Sequence, residues 1–270
     1  MLNGCDVFYC YAESEVKVII NADDLGANAT VNQAIFGLMA EGKITSATVL
    51  ANGAEVDAAV AQMRFFPQCS FGVHLNATQW MPLRPTAGLQ PILNDGGQFT
   101  GRQLKTRITR RLTAAIEAEW EAQVERLLEL GVPVTHLDSH HFIHTIPQLM
   151  PVLRRLMQRY GIHRMRSRYT FKWPPESMMK QWYNHTYNTV LRRWTRCVSA
   201  DALGDFPAFH FAEAIVARNA RTVELIVHPG HPHDVYTSET RLLSTEINKD
   251  FRERHRLISY AELPISPNVD

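Results

Sequence analysis

Residues Val16–Gly26, "VKVIINADDLG", carry a run of mostly apolar, β-forming residues straight into two adjacent carboxylates. Such a run, bounded by turn residues, reads as a strand of a parallel sheet with both faces covered. Asp23 beside Asp24 at its end is costly, because like charges a few ångströms apart repel unless a cation or a shared proton neutralises them. The fold depends on the elements downstream of this strand, and the chemistry depends on what neutralises the pair.

Outward from Gly26 the pattern repeats. A helix is expected near 31–42, where Val31, Ile35, Leu38 and Met39 recur at helical spacing, with Asn28 or Thr30 as its cap. "SATVLA" reads as the next strand, "EVDAAVAQMRFF" as its helix and "SFGVHL" as a third strand. A loop over 76–100, rich in Pro, Gly and Asn, leads to the helix "LTAAIEAEWEAQVERLLEL", closed by Gly131 and Pro133. "VTHLDSH" is the fourth strand and "PQLMPVLRRLMQRYG" its helix, with Pro147 suited to the first turn. "HRMRSR" is a weaker strand, and the aromatic stretch 169–195 is irregular and then helical. A poor strand near 197–203, a helix near 209–218, the strand "TVELIVHPG", a helix near 238–257 and the short "LISYAEL" complete the chain.

Alternating strands and helices imply α/β architecture with a parallel sheet. About seven units favour a closed or nearly closed (βα) barrel over an open sheet. With no repeat or linker apparent, residues 16–270 read as a single domain preceded by an extension over 1–15. That extension has neither the basic start nor the apolar core of a signal peptide.

Composition narrows the function classes. Apolar residues make up 45% of the 270, enough for a large core, and the formal net charge of +1 gives no reason to expect nucleic acid as a partner. No run is apolar enough to span a membrane. Cys5, Cys10, Cys69 and Cys197 contain no CxxC pair, which fits a reducing cytoplasm and argues against a cysteine-built zinc site.

In barrels of this kind the chemistry sits at the C-terminal strand ends, and that is where the polar residues fall. Asp23 and Asp24 end the first strand, His74 the third, "HLDSHH" the fourth, and His228 that of "TVELIVHPG". Strand alternation sets His136, Asp138 and His140 on one face and Leu137, Ser139 and His141 on the other. Asp24, His74 and His140 offer one carboxylate oxygen and two imidazole nitrogens, the composition of a catalytic metal site with an open position. Asp23 would then be free to take a proton from an attacking water, and His228 to protonate a leaving amine. Taken singly, His136, His141 and His144 read as locally hydrogen-bonded residues, and His231 and His233 as loop histidines without a task.

The motifs "NADDLG", "GKITSATVLANG", "FGVHLNAT", "THLDSHHFIHTIPQL" and "VELIVHPGHP" together resemble the YdjC/ChbG-like carbohydrate deacetylases, from about Val16 to the final helix. The resemblance is weak across 169–215, and Leu25 stands where Phe is commoner. It implies a distorted barrel, often dimeric, that removes acetyl groups from N-acetylated amino sugars such as chito-oligosaccharides. It also implies one divalent ion, magnesium or zinc, on Asp24, His74 and His140, with Asp23 as base and His228 near the leaving amine. Trp80 and Trp173 are candidates for stacking on a sugar face. Two alternatives compete: a glycoside hydrolase pairing Asp23 with Asp138 or Asp24, and a sugar-binding barrel without catalysis.

Overall fold

The computed structural model describes residues 15–265, apart from 102, 103, 105 and 106. The expected extension therefore lies outside the described residues, save for Glu15. The elements run β1 Val16–Leu25, α1 Ala29–Ala40, β2 Ser46–Val49, α2 Val56–Met63, β3 Ser70–Leu75, α3 Arg110–Glu129 and β4 Val134–Ser139. They continue with α4 Met150–Tyr160, α5 Met178–Thr195, β5 Ala202–Asp205, α6 Phe206–Asn219, β6 Thr222–Val227, α7 Asp234–Glu246, α8 Lys249–Arg254 and β7 His255–Leu257.

All strand pairs are parallel, in the order β4-β3-β2-β1-β6-β5. β7 lies along the first residues of β1, Val16 to Val18, below the point where β2 begins its pairing at Asn21. The ladder does not close between β4 and β5, but the extended segment 163–171 bridges the gap. On the β4 side, Leu137 donates to the Arg164 carbonyl and accepts from the Arg166 amide. On the β5 side, Thr170 donates to the Leu203 carbonyl at 2.9 Å. The sheet is thus curled into a distorted barrel. Helices cover it, and Val18, Ile20, Val73, Leu137 and Leu225 join their apolar faces in one continuous core.

Three expectations are corrected here. "HRMRSR" makes only isolated bridges, Leu137 to Met165 and Arg164 to Val198, because its length is spent spanning two strands that diverge. The poor strand near 197–203 resolves into the Val198 bridge and β5. The helix near 238–257 breaks at Asn248, whose side chain caps α8 by accepting from the Phe251 amide at 3.1 Å. Asn28 caps α1 as expected, accepting from Val31 at 3.0 Å.

β1 also runs further than its apolar residues. It continues through both aspartates, with a bulge against β2 between Ala22 and Leu25 and Asp24 at φ 67°. In a regular strand, neighbours point to opposite faces. The bulge and the left-handed backbone break that alternation, so Asp23 and Asp24 both turn toward the mouth of the barrel.

Candidate active site

Parallel registration brings the polar strand ends together. His74 on β3 sits opposite Asp138 on β4, and both are buried beside Thr48 of β2. The His74 Nδ1 lies 2.6 Å from Asp138 Oδ1, which fixes its proton on that nitrogen and turns Nε2 toward Asp24. His140 follows β4 in a tight turn. Its Nε2 donates to Gln79 Oε1 at 3.0 Å, which leaves Nδ1 facing the same Asp24. Gln79 is held in reach by Asn76, whose side-chain amide donates to the Gln79 carbonyl at 2.8 Å.

Asp24 Oδ1 is the point of convergence. It is 2.8 Å from His140 Nδ1 and 3.2 Å from His74 Nε2, yet no hydrogen bond of acceptable geometry reaches it. Ligand atoms of Asp24, His74 and His140 all lie within 4.8 Å of one another, as do those of Asp23, His74 and Asp138. Two imidazoles, each anchored through its far nitrogen, and one carboxylate with an unsatisfied oxygen form a donor set that fits a divalent ion. The charge balance agrees. Burial works against charging His74, but the Asp138 and Asp23 carboxylates outweigh it and hold the ring's pKa up at about 10. Burial also opposes ionisation of Asp24, and the imidazoles of His140, His231 and His74 still hold its carboxyl well below the usual range. The pocket demands positive charge, and a divalent ion would meet that demand by replacing ring protons.

Behind this pocket sits an arginine that no sequence motif marks. Arg166 is fully buried on the bridging segment and grips both oxygens of Asp23 at 2.7 Å. The same guanidinium reaches Asp138 Oδ2 at 2.8 Å and Glu224 Oε1 at 2.7 Å. Desolvation would raise Asp23, but Arg166 foremost, with His74 and His228, brings its pKa down to about 2. Glu224 answers mainly to burial and rises to about 7 despite Arg166 and the Tyr260 hydroxyl that also bonds it. One signal in the sequence points to a buried cation: the Glu inside the apolar strand "TVELIV" needs a partner of opposite charge.

His228 Nε2 lies 3.8 Å from Asp23 Oδ2, and its Nδ1 is 3.7 Å from Glu239 Oε1 on α7. Burial lowers its basicity, but Glu239 and Asp23 outweigh this and raise the pKa, favouring the protonated ring. His231, expected to be a loop residue without a task, stands with its Nε2 3.1 Å from Asp24 Oδ2. The cause is Gly230, at φ 82°, whose missing side chain lets the loop press on Thr30 and Val31 of α1. His136 stacks on Tyr260 at 3.8 Å and bonds Asn21, and His144 bonds Ser139, so both hold structure. Trp80 approaches the His140 ring at 5.4 Å, whereas Trp173 stacks on Phe211. Beside the pocket runs a groove of about 1100 Å³ lined by Thr78, His141, Phe142, Ile146 and Arg168 among others.

The fold and site define an α/β barrel with an aspartate–histidine centre at the C-terminal ends of its strands. The chain belongs to the YdjC-like protein family, whose model matches residues 17–261. It is similar to a carbohydrate deacetylase of Halalkalibacterium halodurans, 31% identical over 225 residues that cover 82% of this chain and 87% of the relative. A carbohydrate deacetylase of Brevibacillus brevis is 27% identical over 257 residues, 92% of this chain and 93% of that one. Among solved structures, a protein of Enterococcus faecalis V583 assigned to cellobiose-phosphate cleavage superposes with a TM-score of 0.74. It is 22% identical, covers 93% of this chain and 99% of its own, and speaks for the shared fold.

Proposed function

We propose that this chain is a metal-dependent hydrolase that removes the acetyl group from an N-acetylated amino sugar, releasing acetate. The observation that carries the reading is the convergence of two anchored imidazole nitrogens on Asp24 Oδ1, an oxygen that no hydrogen bond satisfies. The name shared by its relatives supplies the sugar and the acyl group.

Asp24, His74 and His140 would hold the ion, magnesium or zinc. Bound there, it would polarise the amide carbonyl, acidify the attacking water and steady the oxyanion. Asp23 is kept ionised by Arg166 and takes the proton of the water that adds to the carbonyl carbon. His228, kept protonated by Glu239 and Asp23, gives its proton to the amide nitrogen as the C–N bond breaks. Trp80 offers a flat face beside His140, and the adjoining groove has room for further sugar units. The substrate is an N-acetylated sugar or oligosaccharide, and a cytoplasmic, homodimeric enzyme completes the proposal. Among the described residues no helix is long and apolar enough to cross a membrane.

The glycosidase alternative loses ground on geometry. Asp23 and Asp138 are both already paired with the buried Arg166 behind the pocket, rather than standing free on either side of it. Acetate release from N-acetylated chito-oligosaccharides tests the proposal. EDTA should abolish it, and added zinc or magnesium should restore it; unchanged release in EDTA removes the metal from the reaction. No acetate from a broad panel of acetylated sugars with metal present would favour the sugar-binding alternative.

A further inference from the structure

Helix α5 is inside out. Its buried residues are Asn184, Tyr187, Asn188, Leu191 and Thr195, mostly polar, while Met178, Met179, Trp182, Val190 and Trp194 are exposed. A surface helix of a water-soluble domain normally does the reverse. The inner face is explained: Asn188 accepts from the Arg168 amide and donates to its carbonyl, and Asn184 accepts from the Arg168 guanidinium at 2.9 Å. These bonds fasten α5 to the segment that follows Arg166, at the rim of the barrel mouth. Nothing of that kind accounts for the outer face, where Met178 is 83% exposed and Trp182 69%.

Charge is segregated to the same place. Residues 168–196 carry six Lys and Arg against one acid, Glu176, in a chain whose formal net charge is +1. That acid lies between Lys180 at 2.7 Å and Lys172 at 3.6 Å. α5 itself has Lys180, Arg192 and Arg193 and no acidic residue, and Arg154 of α4 sits over the Trp194 ring at 5.4 Å. A broad apolar face with Trp, studded with cations, is the makeup of a helix lying in a lipid headgroup layer.

We infer that the outer face of α5 docks this protein on an anionic lipid surface, with Trp182 and the methionines at the acyl boundary and the surrounding cations among the headgroups. A second copy meeting this face symmetrically would set cations against cations. Single-stranded nucleic acid would use the Trp rings and cations but leave Met178, Met179 and Val190 without a role. Docking would bring the barrel mouth close to the bilayer.

The test is co-sedimentation of the full chain with vesicles of phosphatidylcholine, alone or with a third phosphatidylglycerol. The expected result is binding to the anionic vesicles that fades with salt and is weak on phosphatidylcholine alone. Trp182→Ala should weaken the partition by about tenfold through lost apolar area, and Arg193→Glu by at least about tenfold through charge. Phe65→Ala, at an exposed aromatic away from α5, should leave it unchanged. All three positions are exposed, so unchanged thermal melts will show that the fold is intact. Absence of binding to anionic vesicles, equal binding to both compositions, or a dimer that shields Trp182 from quenching overturns the inference. Tighter binding to single-stranded nucleic acid than to vesicles would overturn it too.

Discussion

At the scale of single residues, Asp23 is a carboxylate whose charge is guaranteed rather than adjustable. Arg166 holds both of its oxygens, so it stays ionised through the working range and is a weak proton acceptor standing in the right place. Asp23→Asn removes the acceptor while leaving Asp24, His74 and His140 untouched. Turnover should fall by at least ~100-fold, the low end for losing a positioned base, with metal content by elemental analysis unchanged; near-normal turnover would take Asp23 out of that role. Arg166 shows the opposite dependence. Arg166→Met would strand Asp23, Asp138 and Glu224 in the interior without a counter-charge, and breaking such a buried group costs about 3–5 kcal/mol. Urea unfolding should register that loss at neutral pH; a change below about 1 kcal/mol would mean that water already screens the cluster. Asp23, Asp24, His74, His140 and His228 stand out in the sequence by falling at or just past strand ends, but that both aspartates face the mouth comes from a bulge and a left-handed residue that alternation does not foresee. Arg166 and His231 went unassigned there, because their partners depend on a segment that bridges two diverging strands and on one glycine's close approach.

Among the elements, α3 shows how a helix distant in sequence sets the geometry around His140, a candidate ligand. Its apolar stripe is legible at once, but two polar residues, Glu119 and Gln123, are buried with it. Gln123 bonds both the amide and the carbonyl of Asn76 at 2.8 and 2.7 Å, and Glu119 accepts from the amides of Leu83 and Arg84 at 2.9 and 2.7 Å. Together they pin the loop that carries Gln79 and Trp80 against the His140 ring. Periodicity could not reveal this, since it reports which face is covered and not what the covered polar atoms hold. Glu119→Gln swaps one acceptor for a donor facing a backbone N–H, and leaving such a group unsatisfied costs about 1–3 kcal/mol. The loss should appear in urea unfolding, accompanied by a raised KM as the loop loosens. An unchanged midpoint and KM would show that the loop is held elsewhere.

For the whole molecule, the barrel was legible because short strand-like runs alternate with helical patterns along the chain, whereas the manner of its closure was not. Arg164, Arg166 and Arg168 alternate as strand residues do, yet 163–171 pairs along neither neighbour: it crosses from β4 to β5 and bonds each only briefly. The mouth is therefore drawn together by side chains as much as by the ladder, with Arg166 joining β1, β4 and β6 through Asp23, Asp138 and Glu224. A cation on Asp24, His74 and His140 would add a second tie among β1, β3 and the turn after β4, and it would bind the folded chain alone. Mass action then raises stability by about 2.7 kcal/mol at a free metal concentration about one hundred times Kd. In a chain of this size that amounts to a rise in Tm of roughly 5–10 °C. Zinc or magnesium added to metal-stripped protein should produce the rise, EDTA should reverse it, and His74→Ala or His140→Ala should abolish it. The midpoint of Asp23→Asn should still respond, because its carboxylate is committed to Arg166. A full response in either histidine variant would place the ion elsewhere, and the Asp23, His74 and Asp138 group would remain only if the His140 variant alone responded.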